Sequence, residues 1–218
     1  QFHIISKYPQ SENSVAAIFA SSLEKLQQKK LYGYLVHHFE FYQSHPQLWE
    51  KMKDLKAEGK IDKIGFSLYN TDQLQYLLDN EVVFDVLQFP YNLFDRQFDT
   101  YLLYLKQCGV EIHTRSVFLQ GLFFKNVRKL TDKLLPMKKY LEKLHEYCGI
   151  SGISMEQLAL NYVVSHPNID GVLIGVDNCQ QLQANVDALQ NGLRQEDIDF
   201  ISSINVSEKE LLNPVNWK

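Results

Sequence analysis

A short apolar run closes on a polar side chain, then a loop and an amphipathic helix follow, and this unit recurs six times along 218 residues. The recurrence predicts an α/β fold built on a parallel sheet. Parallel strands are buried on both faces and must be covered or closed, which points to a (β/α)8 TIM barrel with about six of its eight βα units present. The clearest run is LYGYLVHH, residues 31–38. Lys7, Ser67, Gln88, Arg115 and Asp177 stand at or just past the tips of the others. In a parallel barrel such tips meet at one mouth, where these folds do chemistry.

Residues 2–7 (FHIISK) alternate, with His3, Ile5 and Lys7 on one face and Phe2, Ile4 and Ser6 on the other. Residues 14–28 follow as a helix, with Val15, Ile18, Phe19, Ser22, Leu23 and Leu26 at helical spacing. The second strand covers residues 33–37. Its helix starts near Ser44-His45-Pro46, has an inner stripe of Leu48, Met52 and Leu55, and is capped by Gly59. A third strand, residues 63–67, leads to a helix from Thr71 with Leu74, Leu77 and Leu78 inward. The fourth strand is residues 84–88, its helix runs over 97–107, and Gly109 returns the chain to a fifth strand at 110–114.

A long loop, residues 115–132, precedes two helices. One covers residues 135–147. The other opens at Ser154 with Gln157 three residues on, a capping box, and buries Leu158, Tyr162 and Val163. Residues 171–174 form the sixth strand, 180–189 its helix and 196–204 a closing helix. No linker or low-complexity segment interrupts this order, so residues 1–218 read as a single barrel domain. Two further units, about 60 residues at ~30 each, would complete eight. An open six-stranded barrel exposes two sheet edges and an apolar interior. The expectation is therefore a C-terminal three quarters of a barrel, with its N-terminal part missing from this stretch.

The composition, 45% hydrophobic and 22% charged, excludes disorder. The net charge is −4, and the basic residues are scattered apart from a modest Lys-rich patch in 125–143. That argues against nucleic acid and against an anionic membrane surface as the main partner. A homo-oligomer is allowed but not specified. Cys108, Cys148 and Cys179 are odd in number and lack ligand spacing, as in a reducing compartment. No apolar run approaches the ~20 residues of a membrane span, and no leader precedes a cleavage site, so a cytoplasmic protein is expected.

The stretches IISKYP, LYGYLVHHF, IGFSLYN, VLQFPYNLFD, VEIHTRSVFLQGL, ISMEQLALNYVVSHP and VLIGVDNCQQLQANVDAL follow one another along almost the full chain. Their order and spacing resemble the aldo-keto reductase superfamily. The resemblance implies reversible reduction of an aldehyde, ketone or sugar carbonyl to an alcohol, with NADP or NAD bound outside a Rossmann fold. Neither G-x-G-x-x-G nor G-x-x-x-x-G-K-[ST] occurs. In that family Lys and Asp tune an acid Tyr, and His orients the carbonyl. The resemblance assigns Lys7 and His37 to two of these catalytic roles. None of the twelve Tyr matches the acid, which with its Asp is expected in the missing βα units.

The residues alone leave plainer readings open. A lone Lys7 is an ordinary surface lysine, although its alternation with His3 and Ile5 turns it to one face. His37 on its own is a hydrogen-bonded core histidine. It shares a face with Gly33 and Leu35 while His38 points the other way, which argues against a metal held by His37, His38, Glu40 and His45. No metal is expected.

For the cofactor, the resemblance puts Ser67 and Gln88 on the nicotinamide amide, with Leu68 where the family usually has Asn. Otherwise Ser67 is a small turn residue and Gln88 a satisfied polar strand end. Arg115 stands where an aromatic ring commonly stacks; a guanidinium can stack too and adds positive charge. Ser116, Phe118 and Gln120 lie in the loop that covers the pyrophosphate in the family, a loop too apolar here to lie free in water. The adenosine end falls on residues 175–185, where a helix start can receive phosphate. Asn185 matches the adenine contact. Gln181 and Gly175 replace the Arg and Lys of NADPH-preferring members, and Asp177 adds a negative charge, which weakens selection for NADPH over NADH. Alternatively Asp177 caps the helix. Leu68, Arg115 and the unmatched acid also allow a catalytically impaired cofactor-binding or regulatory subunit. Residues 38–42 with Phe123 and Phe124 suggest an aromatic mouth.

Overall fold

The computed structural model describes residues 2–11 and 14–217. Six strands lie in one sheet in chain order: β1 (Ile5–Tyr8), β2 (Leu31–Val36), β3 (Ile61–Ser67), β4 (Val86–Pro90), β5 (Glu111–Arg115) and β6 (Gly171–Val172). The pairs β1–β2, β2–β3 and β3–β4 are parallel. The helices are α1 (Val15–Leu26), α2 (Phe39–Ser44), α3 (Gln47–Ala57), α4 (Thr71–Asp79), α5 (Asp99–Gln107), α6 (Lys138–Ser151), α7 (Met155–Val164), α8 (Cys179–Ala188) and α9 (Gln195–Ser202). The chain divides into two compact units, Gln1–Phe89 with Thr100–His113, and Pro90–Asp99 with Thr114–Lys218.

In the first unit the register sorts side chains between two faces. Lys7 lies beside Leu35, Leu35 beside Gly65, and Gly65 beside Val86, while Ser67 lies beside Gln88. Residues in register share a face, so Lys7, Ser67 and Gln88 are on the same one. The opposite face carries Phe66, which meets Tyr42, Trp49 and Phe84 in an aromatic cluster. Two glycines permit close approach on the first face. An added Cβ at Gly65 would stand 1.7 Å from the Val86 carbonyl oxygen, and one at Gly33 would stand 3.0 Å from the Ile5 side chain.

Side-chain caps fix the helix starts. Ser14, Asn70, Ser154 and Asn178 accept from the amides of Ala17, Gln73, Gln157 and Gln181. The capping box at Ser154 is only half formed, because the Gln157 side chain donates to the carbonyls of Asn191 and Gly192 instead. Tyr162 is half-buried; Leu158, Ala159, Leu160, Asn161 and Val163 are the buried positions of α7.

Three local departures from the sequence reading matter. Helix α2 was not expected: six residues are too few to show a period, yet Phe39 and Tyr42 bury themselves one turn apart. The sixth strand is two residues long instead of four, and Leu173 and Ile174 are 41% and 37% exposed. The loop after β5 is organised into short 3-10 turns, Leu122–Phe124, Val127–Lys129 and Asp132–Met137, over buried Val117, Leu119, Leu122 and Phe123. Among the described residues no helix is long and apolar enough to cross a membrane.

Candidate functional site

At the carboxyl ends of β1 to β4, inside the first unit, the Lys7 ammonium donates to the Ser67 hydroxyl at 3.0 Å. Lys7 is half-buried and Ser67 is buried. Next to Ser67 in register, Gln88 is buried, and neither its amide nitrogen nor its amide oxygen has a hydrogen-bond partner. Buried amides are nearly always bonded. The reading of Gln88 as a satisfied strand end is therefore corrected: the site holds a donor and an acceptor in reserve, the complement of another carboxamide. Leu68, in the place of the family's Asn, is buried, and its amide donates to the Gln88 carbonyl at 2.7 Å.

His37 and His38 both lie past the end of β2, and their rings come within 4.6 Å. The expected divergence of the two fails because strand alternation stops at Val36. The histidines nevertheless part company with Glu40 and His45. Glu40 accepts from the Gln73 amide at 3.0 Å, and His45 stacks on Phe41 at 4.2 Å. No group of three His, Cys, Asp or Glu among the described residues could hold a metal ion. Of the aromatic residues expected at the mouth, Phe39, Tyr42 and Phe123 belong to the core.

A carboxylate centre that the sequence reading missed lies nearer the amino ends of the strands. Glu111 accepts from Tyr32 at 2.6 Å and from Lys63, and pairs with His113 at 2.6 Å. Burial pushes the Glu111 carboxyl upward, but its hydrogen bonds from Lys63 and Tyr32 prevail and hold it below the usual range. Burial and the same carboxylate raise Tyr32. Its place at the strand starts marks it as a structural clamp.

The second unit encloses a cavity of about 780 Å³, within the ~300–1,000 Å³ of small-molecule sites. Arg115, Ser116, Phe118 and Gln120 line it from the loop after β5. Gly175 and Asp177 line it from the turn before α8, and Gln181 and Asn185 from α8, joined by Glu156 of α7. All eight cofactor candidates of this half thus meet at one cavity.

The loop wall runs through backbone that ordinary residues avoid. Ser116, Leu119 and Gln120 have φ of 63°, 45° and 49°, each costing ~1–3 kcal/mol unless the surroundings enforce it. Buried Asn92 does the enforcing at Ser116. Its side-chain oxygen accepts from the amides of Phe94 and Asp95, and its nitrogen donates to the Ser116 carbonyl at 3.1 Å. On the α8 wall, Asn178 caps the helix, so Asp177 does not. The amide of Asp177 donates to the Gln181 side chain at 2.8 Å, and that of Gln181 to Asn178 at 2.9 Å. Two amides at the helix start, where phosphate was expected, are therefore already engaged.

A model of the aldo/keto reductase family matches residues 5–206. The chain belongs to the aldo/keto reductase family. It is 25% identical over 210 residues to the NADH-specific methylglyoxal reductase of Escherichia coli K12, covering 86% of this chain and 63% of that protein. It is 27% identical over 174 residues to the L-galactose dehydrogenase of Arabidopsis thaliana, covering 75% and 54%. With the glyoxal reductase of Bacillus subtilis the identity is 26% over 210 residues, covering 94% and 68%. The chain thus spans just over half to two thirds of these relatives. In fold, it superposes with a TM-score of 0.71 on the holo form of an aldo-keto reductase from Bacillus halodurans. There the identity is 20%, with 94% of this chain and 73% of that one covered. This likeness places the parallel α/β sheet among the (β/α)8 barrels of aldo-keto reductases.

Proposed function

We propose that this protein is a cytoplasmic oxidoreductase that reversibly reduces a small aldehyde, ketone or sugar carbonyl to the alcohol with NADH or NADPH. Family membership supports the reading, as do relatives named for reducing methylglyoxal and glyoxal and for oxidising L-galactose. The observation that carries it is the Lys7 ammonium 3.0 Å from Ser67, beside the unsatisfied Gln88 amide.

A bound reduced nicotinamide would supply a hydride for the carbonyl carbon, and an acid would protonate the oxygen. Ser67 and Gln88 hold the carboxamide of that ring. His37 orients the carbonyl oxygen. The Lys7 ammonium stabilises the anion of an acid Tyr, bringing a pKa of ~10 toward neutrality. No Tyr of residues 1–218 matches that acid, so in this proposal it comes, with its Asp partner, from βα units outside them. In the second unit Arg115, Ser116, Phe118 and Gln120 receive the diphosphate, and Gly175, Asp177, Gln181 and Asn185 the adenosine. The donors fit: the unsatisfied Gln88 amide suits a carboxamide, and Arg115 with a wall of turned backbone suits an anion.

The test is titration of the whole protein with NADH and NADPH, followed by consumption of the reduced dinucleotide with methylglyoxal, glyoxal and aldoses. Binding with turnover on at least one carbonyl is expected. Binding without turnover would favour the regulatory subunit, and no binding at all would refute the proposal.

A further inference from the structure

Resting on the reading of the second unit's cavity as a dinucleotide site, we propose that Glu156 and Asp177 make it select NADH over NADPH. Glu156 accepts a hydrogen bond from the adenosine ribose, and both carboxylates repel a 2′-phosphate.

Three features carry this. First, the charged side chains lining the cavity are Arg115, Glu156 and Asp177, an excess of one negative charge. Neither carboxylate forms an ion pair with any described residue. An unpaired carboxylate on a cavity wall is an acceptor awaiting hydroxyl donors, the role acidic side chains play toward a ribose 2′-hydroxyl in unrelated folds. A 2′-phosphate brings up to two negative charges and no donor to match.

Second, a ligand is independently indicated at this wall. Asn185 lines the cavity and is only 6% exposed, yet its side-chain amide makes no hydrogen bond with the described residues. An unpartnered amide on a cavity wall offers a donor and an acceptor to whatever enters there.

Third, the groups at the start of α8 that could have received a 2′-phosphate are already engaged. The Gln181 side chain accepts from the Asp177 amide at 2.8 Å, and the Gln181 amide donates to Asn178 at 2.9 Å. The one lining cation, Arg115, with a guanidinium nitrogen 3.4 Å from the Ser116 hydroxyl, belongs to the diphosphate end of the cavity. It leaves the β5 side of the cavity, whereas Glu156 and Asp177 come from α7 and the turn before α8.

The test measures dissociation constants of NADH and NADPH by fluorescence quenching for the whole wild-type protein, Glu156→Gln and Asp177→Asn, at low and high salt. NADPH is expected to bind at least tenfold more weakly than NADH at low salt, with the gap shrinking as salt screens the repulsion. Glu156→Gln should tighten NADPH and weaken NADH, closing the gap at least fivefold. Asp177→Asn, on an exposed turn, should tighten NADPH more than NADH. If both dinucleotides bind equally, or the ratio ignores both substitutions, the selection proposal is wrong and the dinucleotide site stands. If neither binds to the wild type, both fall together.

Discussion

Gln88→Met tests whether the site stores binding capacity at the expense of stability. Both polar atoms of the Gln88 amide are buried with no partner, and a buried group left in that state costs ~1–3 kcal/mol. Methionine keeps the unbranched shape and removes the polar atoms, so the ligand-free protein should gain roughly 1–3 kcal/mol. For a domain of this size that is a rise in Tm of roughly 2–12 °C. The same substitution deletes two hydrogen bonds to the carboxamide, at ~0.5–1.5 kcal/mol each, weakening NADH about five- to hundredfold. Thermal unfolding followed by circular dichroism without ligand, and fluorescence titration with NADH, read the two effects. A variant that melts below wild type and binds NADH with unchanged affinity would refute the reasoning, since Gln88 would then be structural.

Three further outcomes follow from single contacts. Gly65→Ala drives a Cβ into the Val86 carbonyl, 1.7 Å away, and should cost at least the ~3 kcal/mol of severe overpacking; an unchanged urea midpoint would contradict the close β3–β4 approach. Asn92→Ala frees the Ser116 carbonyl and should weaken either dinucleotide while the affinity ratio between them holds, because it acts on the loop wall and not on charge. Asp197, whose side chain is 1% exposed, is held at about 2 by hydrogen bonds from Arg194, with Tyr147 adding to them. With its folded-state pKa below the unfolded value of 3.8, its contribution is complete above pH ~4 and is lost as pH falls toward 2. Discounted for a half-exposed Arg194, that is no more than about 1–2 kcal/mol, so Asp197→Asn should flatten the acid limb of a stability–pH curve.

The strands were legible because burial on both faces writes apolar runs that end on polar tips, and the register keeps Lys7, Ser67 and Gln88 on one face as alternation requires. What failed was short or set by partners far along the chain. Strand alternation could not place His37 and His38, because the strand ends at Val36. Four apolar-looking residues, 171–174, suggested a buried strand, but only Gly171 and Val172 pair regularly. The loop wall of the cavity depends on left-handed φ at Ser116, Leu119 and Gln120, none of them glycine, and only Gly121 beside them carries a turn signal. Asn92 was visible only as part of a matching stretch, and Glu156 resembled any acidic residue in the first turn of a helix until the cavity placed it.

The most direct test is the turnover of the whole protein and its Lys7→Met variant on the carbonyl compound it reduces best. Removing the ammonium beside Ser67 should lower kcat by roughly 10²–10⁴-fold, the range of acid–base assistance, with the dissociation constant of NADH within twofold of wild type. Equal kcat values for the two proteins would show that Lys7 plays no part in the proton transfer, and the assignment of the chemistry to this face of the sheet would be wrong.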